Sequence, residues 1–343
     1  LRSPYALQFN LQVEREFKGQ VLINLAYVGN RGLKLTRFRT PNGGINSLTL
    51  PIDPLGLTQF GTSGGAPAAV AIPPLGLFNG RSDLGRLNPT LGSYTVFDSS
   101  AKSSYHALQA GFTRQYAHGF QMSAAYTWSR AIDEVSDVFD MAGAFVLPQD
   151  DRNLNAERGV ANFDVSHRFV ISVVSKLPIL RRFDLARGVA GAVLGGWQLA
   201  AISSHQSGQP FTVNSSLDVN LDGNLTDRLN TLNGLSVTKD RRVRIGILEG
   251  ANTFDLLAPL GKNGSIGRNT FRGGAVHETN VALRKAIRFR NERELTFRCE
   301  VFNLFNRPQF GIPVRILEAP AFGQSFDTQR NPRQIQFAIK YSF

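Results

Sequence analysis

The residues best suited to chemistry lie in DVNLDGNLTDR, positions 218–228. Asp218, Asn220 and Asp222, followed by Gly223, place oxygen-bearing side chains at alternate positions ahead of a glycine, as in the first half of a calcium loop. The glycine lets the chain turn sharply, so the oxygens can converge on a hard cation. The acidic ligand expected at the twelfth loop position is absent, because Leu229 stands there and Asp227 falls two places early. Aspartate, asparagine and glycine are also ordinary turn residues. The segment is therefore a candidate calcium site formed by Asp218, Asn220, Asp222 and Asp227, with a plain turn as the alternative.

Other groupings carry less. Gly61, Ser63 and Gly65 spell G-x-S-x-G, but a nucleophile elbow needs a strand before it and a helix after it, and this one lies in a Gly/Ala/Pro-rich stretch. Gly191 and Gly195 have a helix-packing spacing that has meaning only in a long apolar segment. The histidines His106, His118, His167, His205 and His277 show no metal-ligand spacing and read as strand or rim positions. A single cysteine, Cys299, excludes an intrachain disulfide framework and a CxxC metal site. Nothing here looks like an enzyme active site, and no catalytic residue is expected.

The elements that would carry these residues show in a period of two, because successive side chains of a strand point to opposite faces. At the end of the chain Ile335, Phe337, Ile339, Tyr341 and Phe343 alternate with Gln334, Gln336, Ala338, Lys340 and Ser342. Upstream, Tyr5, Leu7, Phe9, Leu11 and Val13 alternate with polar residues, and Val21, Ile23, Leu25 and Tyr27 follow after a turn at Lys18-Gly19. Leu108, Ala110 and Phe112 form another series, as do Phe120, Met122, Ala124, Tyr126 and Trp128. Leu295, Phe297, Cys299 and Val301 form one more, with Arg298 and Glu300 together on the opposite face. Weaker strands near 164–178, 196–206 and 277–288 bring the total to about nine.

Two features favour lipid outside these strands over the core of a soluble sandwich. The second face is rich in Gln, Asn, Ser and Thr, as a wet lumen requires, and Tyr27, Trp128, Trp197 and Tyr341 suit interfacial girdles. Short connections (17–20, 117–120, 288–293, with 179–195 moderate) alternate with long ones (30–103, 131–163, 206–276, 305–332). Outer-membrane barrels alternate in this way, with short periplasmic turns and long extracellular loops. The fold expected is all-β, a transmembrane antiparallel β-barrel. Leu7, Phe9, Leu11, Ile23, Leu25, Leu108, Phe112, Met122, Tyr126, Trp128 and Phe297 are expected to face lipid. A 70-residue loop without structure is uncommon, so some long loops are expected to contain extra hairpins.

Composition agrees. Of 343 residues, 42% are hydrophobic, yet the most apolar stretch, Ala66 to Phe78, is broken by Pro67, Pro73 and Pro74 and cannot span as a helix. The net charge of +12 comes from singly scattered cations such as Arg31, Lys34, Arg37 and Arg39. That scatter argues for a solvated surface or contact with anionic headgroups, and no nucleic-acid partner is expected. An odd strand number, with no initial Met and no signal peptide, leads to the expectation that residues 1–343 are the C-terminal portion of a larger barrel.

The segments SPYALQFNLQVERE and AYVGNRG, SSYHALQAGFTRQYAHGF and AYTWSRAID, and DVSHRFVISVVSKLP are similar to the C-terminal barrel of Oar-like TonB-dependent receptors. So are GGWQLAAISSHQSGQPFTV, LTFRCEVFNLFNRPQFG and RNPRQIQFAIKYSF, in the same order from Ser3 to Phe343. The resemblance implies the cell outer membrane and about nine strands of a probable 22. It also implies a plug and a regulatory-like domain upstream of this sequence, and coupling through those parts to the TonB complex. The alternating residues Ile335, Phe337, Ile339, Tyr341 and Phe343 match the C-terminal signal that the outer-membrane assembly machinery reads in this class. The function implied is uptake of an unidentified ligand past the plug. A structural or adhesive protein on the same barrel is the principal alternative, and a soluble all-β binding module a distant one.

Overall fold

Residues directly opposite each other in an antiparallel pair lie on the same face of the sheet, so period-two patterns stay aligned only if every strand keeps its register. In a computed structural model, which describes residues 2–43, 49–50, 70–71, 94–136, 147–177, 195–238, 240–289 and 293–343, they do. The long strands are β1 (Tyr5–Phe17), β2 (Val21–Arg39), β3 (Val96–Ala117), β4 (Phe120–Asp133) and β5 (His167–Lys176), then β6 (Trp197–Gln206), β7 (Val276–Arg288), β8 (Glu294–Phe302) and β9 (Gln334–Ser342). They form an antiparallel meander in chain order within a ten-stranded sheet, the short strand Gly159–Val160 being added beside β4. Strands β1 and β9 are its two edges.

One face of this wall can be followed rung by rung. Leu11 opposes Tyr27, which opposes Leu108, which opposes Trp128, which opposes His167. From there Phe169 opposes His205, which opposes His277. At the far side Leu283 opposes Cys299, which opposes Phe337. Gln8, Asn30, Tyr105 and Asp133 lie on the other face, as do Arg284, Arg298 and Ala338.

The tight connections gather at one end of the wall, with Gly19 at φ 88° and Gly119 at φ 83° in two of them. Residues 134–166, 207–275 and 303–333 leave from the other end. Strands β2 and β3 run further toward that end than the sequence pattern indicates, so the connection expected at 30–103 shrinks to residues 40–95. The alternation fades where Gly29, Asn30, Arg31 and Gly32 follow one another, yet pairing continues to Arg39 through register shifts between Gly32 and Leu35 and between Leu35 and Arg37. Tyr27 and Trp128 thus lie inside their strands, where the sequence pattern put them at the ends.

The buried hydrophobic cluster is not in the wall at all. Phe211, Val213, Val219, Leu229, Ile245, Leu256, Leu257, Ala258, Phe271 and Leu317 form it, all from the connections 207–275 and 303–333. Small strands organise it: Pro210–Phe211 pairs with Phe271–Arg272, and Leu235–Val237 with Ile245–Ile247. Phe211 and Phe271, directly paired, stack with centroids 5.8 Å apart. Of the extra hairpins expected in some long loops, this connection holds one, Leu235–Val237 with Ile245–Ile247. Segment 159–166 leans on the wall's polar face, where Ser129 Oγ donates to the Val165 carbonyl at 2.8 Å and Ala107 and Ala131 are buried.

Gly323 joins two parts of this layer. Its amide donates to the Val314 carbonyl at 2.8 Å, its carbonyl accepts from the Arg244 amide at 3.1 Å, and its φ is 77°. A Cβ there would run into the Ile245 carbonyl. Left-handed backbone costs a non-glycine residue roughly 1–2 kcal/mol before any clash, so Gly323→Ala should destabilise the loop layer by about 2 kcal/mol or more. Limited proteolysis of the folded protein should show faster cleavage within 207–275 and 303–333, with the strands still protected.

Candidate functional site

The long-loop end is held together by arginine–carboxylate pairs between segments far apart in sequence. At the top of β2, Arg39 Nε and Nη2 donate to the two Asp151 oxygens at 3.1 and 3.0 Å, while Nη1 reaches Asp98 at 3.1 Å. Bidentate geometry of this kind fixes orientation as well as charge. Arg272 pairs with Asp164 at 2.6 Å and donates to the Gly208 carbonyl at 3.1 Å. Arg268 pairs with Asp133 and donates to the Glu157 carbonyl at 3.0 Å and to Ser136 Oγ at 2.8 Å. At the centre Arg228 meets Glu157 at 2.9 Å, both side chains being only 5% exposed.

Around that pair lies a cavity of about 60 Å³, room for a few water molecules, lined in part by Arg37, Glu134, Glu157, Asn214, Arg228 and Arg268. Arg228 Nε and Asn214 Oδ1 are buried without a hydrogen-bond partner there. The arrangement can bind and orient polar groups. The sequence contains no signal for it, because Glu157 and Arg228 belong to different loops.

The DVNLDGNLTDR segment lies in the same layer, pinned by Val219 and Leu221, which are both buried. Leu221 and Gly223 adopt left-handed backbone, φ 63° and 86°. Asp218 accepts from the Asp222 and Gly223 amides at 3.0 and 2.9 Å, and Asn220 Oδ1 also accepts from the Asp222 amide at 3.0 Å. Asn220 Nδ2 donates outward to the Gln149 carbonyl at 2.7 Å and to Asn263 Oδ1 at 2.8 Å. Asp222 accepts from the Asn224 amide at 2.8 Å, and Asp227 Oδ2 from the Val219 amide at 2.9 Å.

Burial pushes the Asp218 carboxyl up from its ordinary range. Burial, then the charge of Asp218, pushes Asp222 up to about 7. Burial, then the charges of Asp218 and Asp222, pushes Asp227 up to about 8. The structure therefore brings the expected residues into one electrostatic neighbourhood. Among the described residues, no group of three or more Asp, Glu, His or Cys side chains is already arranged to hold a metal ion.

The other residues singled out from sequence fall as follows. All eleven residues from Leu7 to Phe297 expected to share a face do so, through the registers that link β1 to β9. Ile335, Phe337, Ile339 and Tyr341 lie on that face along the edge strand β9, and Phe343 follows it, almost fully exposed. Cys299 is a free thiol on the same face. Arg298 and Glu300 pair at 2.7 Å on the opposite face. Gly61, Ser63, Gly65 and Gly191 lie outside the described residues.

Two rows on the apolar face escaped sequence reasoning. Toward the tight turns, cations sit over aromatic rings: Arg15 over Phe17 at 5.3 Å, Arg114 over Phe120 at 5.3 Å, and Lys285 over Trp197 at 5.4 Å. Toward the long loops four histidines align. His106 bonds the Tyr27 hydroxyl at 2.7 Å, His167 the Tyr126 hydroxyl at 2.8 Å, and His205 meets His277 at 2.9 Å between Nδ1 atoms. Strand register alone brings His205 to His277 and sets His106 and His167 each beside a tyrosine of the neighbouring strand, so linear spacing gives no sign of them.

An antiparallel meander with one apolar and one polar face, tight turns at one end and long loops at the other, is the wall of a membrane β-barrel. Among the described residues no helix is long and apolar enough to cross a membrane. The chain belongs to the outer membrane beta barrel domain family, which matches residues 1–336, and its place is the outer membrane. Among solved structures it is similar to the outer membrane transporter YddB from Escherichia coli, at 7% identity and a TM-score of 0.43, over 99% of this chain and 32% of that one. The chain thus spans about a third of that transporter's length. The curated proteins contain no match to it.

Removing one partner from a buried ion pair strands the other charge and costs roughly 3–5 kcal/mol. Glu157→Gln should therefore loosen the loop layer by that order, while Arg288→Ala, which removes an exposed pairing with Glu294 at 3.1 Å, should change stability by about 1 kcal/mol or less. Thermal melting followed by loop proteolysis would separate the two. Equal effects would show that the Arg228–Glu157 pair does not hold the layer.

Proposed function

We propose that the chain is the C-terminal part of a TonB-dependent receptor barrel that captures an unidentified ligand at its long loops and takes part in its uptake. The observation that carries this reading is the loop layer: three long connections folded on one another at one end of a membrane wall, around a polar, arginine-lined cavity. Loops positioned by a rigid scaffold commonly hold binding sites. The TonB-dependent part of the reading draws on the ordered likeness of segments from SPYALQFNLQVERE to RNPRQIQFAIKYSF. The open edges of β1 and β9 support closure of the wall by further strands of the same protein. The chain is not an enzyme in this reading, and Arg39, Arg228, Arg268 and Arg272 at the loop end are engaged with carboxylates rather than offered to nucleic acid.

The apolar face is the lipid face. Eight positions separate Arg114 from His106, Trp197 from His205 and Lys285 from His277. At about 3.3 Å per residue that is roughly 26 Å along a strand, or about 20 Å at a 40° tilt, near the apolar band of about 25 Å in outer-membrane barrels. The cation–aromatic row and the histidine row then mark the two interfaces, with Leu25, Leu108, Phe112 and Phe297 in hydrocarbon between them. Outer-membrane lipid is the first partner. The assembly machinery is a second, reading Ile335, Phe337, Ile339, Tyr341 and Phe343, and the TonB complex a third, reached through upstream parts.

Cells that make the full-length protein should deplete at least one solute from a defined nutrient mixture, and the depletion should stop in a strain lacking TonB. Depletion that continues without TonB, or a protein that only promotes cell adhesion, would overturn the uptake reading.

Phe112 and Thr113 are neighbours on β3, opposing Ile23 and Leu22 of β2 respectively. Arginine near the bilayer midplane costs roughly 2–4 kcal/mol on the lipid face of a barrel. Phe112→Arg should therefore lower the inserted fraction far more than Thr113→Arg. A lipid-confined quencher should quench a label at 112 and not at 113, and the opposite pattern would reverse the faces.

A further inference from the structure

Three carboxylates lie close together in the loop layer without a counter-charge, Asp227 buried and Asp218 and Asp222 half-buried. The charge of Asp218 acts on Asp222, and the charges of both act on Asp227, while among the described residues none of the three forms an ion pair. Buried charges are normally paired or bound to a metal, since desolvating an isolated carboxylate is costly. A cluster of turn aspartates could still be held by backbone amides alone. The decisive atom is Asp227 Oδ1. Asp227 is 1% exposed, its Oδ2 is occupied by the Val219 amide, and Oδ1 is buried without any partner.

The amide of Asn220 supplies a neutral oxygen of fixed direction. Its Nδ2 is held outward by the Gln149 carbonyl and Asn263, so Oδ1 is turned into the loop, where it meets the Asp222 amide beside Asp218. We propose that residues 218–227 form a calcium site, with Asp218, Asn220, Asp222 and the unpartnered Oδ1 of Asp227 as its side-chain oxygens. All-oxygen donor sets of this charge suit calcium, which tolerates irregular coordination, better than magnesium, which demands a near-ideal octahedron. The acidic residue two places early replaces the missing twelfth-position ligand of the sequence pattern, and the cation draws the carboxylates inward from their amide-bonded positions.

The site would act on the whole layer, because its loop is tied to three other segments. Asn224 Nδ2 donates to Thr40 Oγ1 at 2.8 Å, at the end of β2. Asn220 ties the loop to Gln149 and Asn263, and Asn263 in turn donates to Asp150 at 2.7 Å. Calcium in the medium outside the cell would thus lock the loops that form the candidate binding face. This inference stands whether or not the protein is a transporter.

The test is calorimetric titration of calcium chloride into the full-length protein, purified in detergent and stripped with EDTA. One saturable site is expected, with a dissociation constant on the order of 10⁻⁴–10⁻³ M, as in extracellular calcium modules. Asp222→Asn and Asp227→Asn should each weaken it at least about tenfold. Melting gives a crossed readout: in EDTA, Asp227→Asn should melt no lower than wild type, because a buried charge is gone. In millimolar calcium only wild type should gain stability and protection from trypsin within 207–275. Absence of calcium heat with wild type, equal binding by both variants, or equal response to magnesium would overturn the site. The wild-type titration decides even if a variant fails to insert.

Discussion

Backbone hydrogen bonding is the constraint from which the rest of this structure follows. Inside hydrocarbon no water is available to satisfy an amide or carbonyl, so a spanning strand must be paired along its length. The chain meets that demand with the simplest topology, each long strand pairing with the next in sequence from β1 to β9. Such pairing also fixes the faces: a slip of one residue would turn Leu108 and Phe112 to the polar side and Gln109 to the apolar one. The continuous apolar face is thus the product of eight registers held at once.

A barrel wall has no room for an ordinary hydrophobic core. Its apolar side chains face outward, and its inner face is polar. The buried core of this protein accordingly lies in the loops, where Phe211, Leu229, Leu256 and Leu317 pack away from solvent. The arginine–carboxylate pairs complement that core. Each is weak if exposed, but two are largely buried: Arg228–Glu157 joins two loops, and Arg268–Asp133 ties a loop to the end of β4. Wall and loop layer therefore rest on different forces, backbone pairing in one and side-chain packing with ion pairs in the other.

This difference explains what the sequence discloses. Six of the nine long strands can be read with their faces from alternation, and the other three only by position, since a strand facing lipid on one side leaves a period-two pattern such as Ile335-Gln336-Phe337-Ala338-Ile339. The upper parts of β2 and β3 cannot be read this way, because beyond Tyr27 the residues Gly29, Asn30, Arg31 and Lys34 interrupt the pattern. The D-x-N-x-D-G run is local and visible. The orphaned oxygen of Asp227 is not, since the flanking residues Thr226 and Arg228 are held by Pro148 and Gln149 of another loop. Likewise the histidines of the row lie on four strands, and only the fold brings His205 to His277 and the other two to their tyrosines.

The separation of wall and loop layer also favours an order of assembly. Arg228 and Glu157 are 71 residues apart in sequence, and Arg268 and Asp133 are 135 apart. Closing chain loops of that size is entropically costly until something else holds their ends, and the cost grows with the logarithm of loop length. Pairing of β6 with β7, from Gln206 and Val276 onward, brings together the two ends of the longest connection. The wall is thus the template on which the loops condense. Loop-closure entropy favours a stage in which the membrane is already spanned while the face turned to the outside world has yet to take shape.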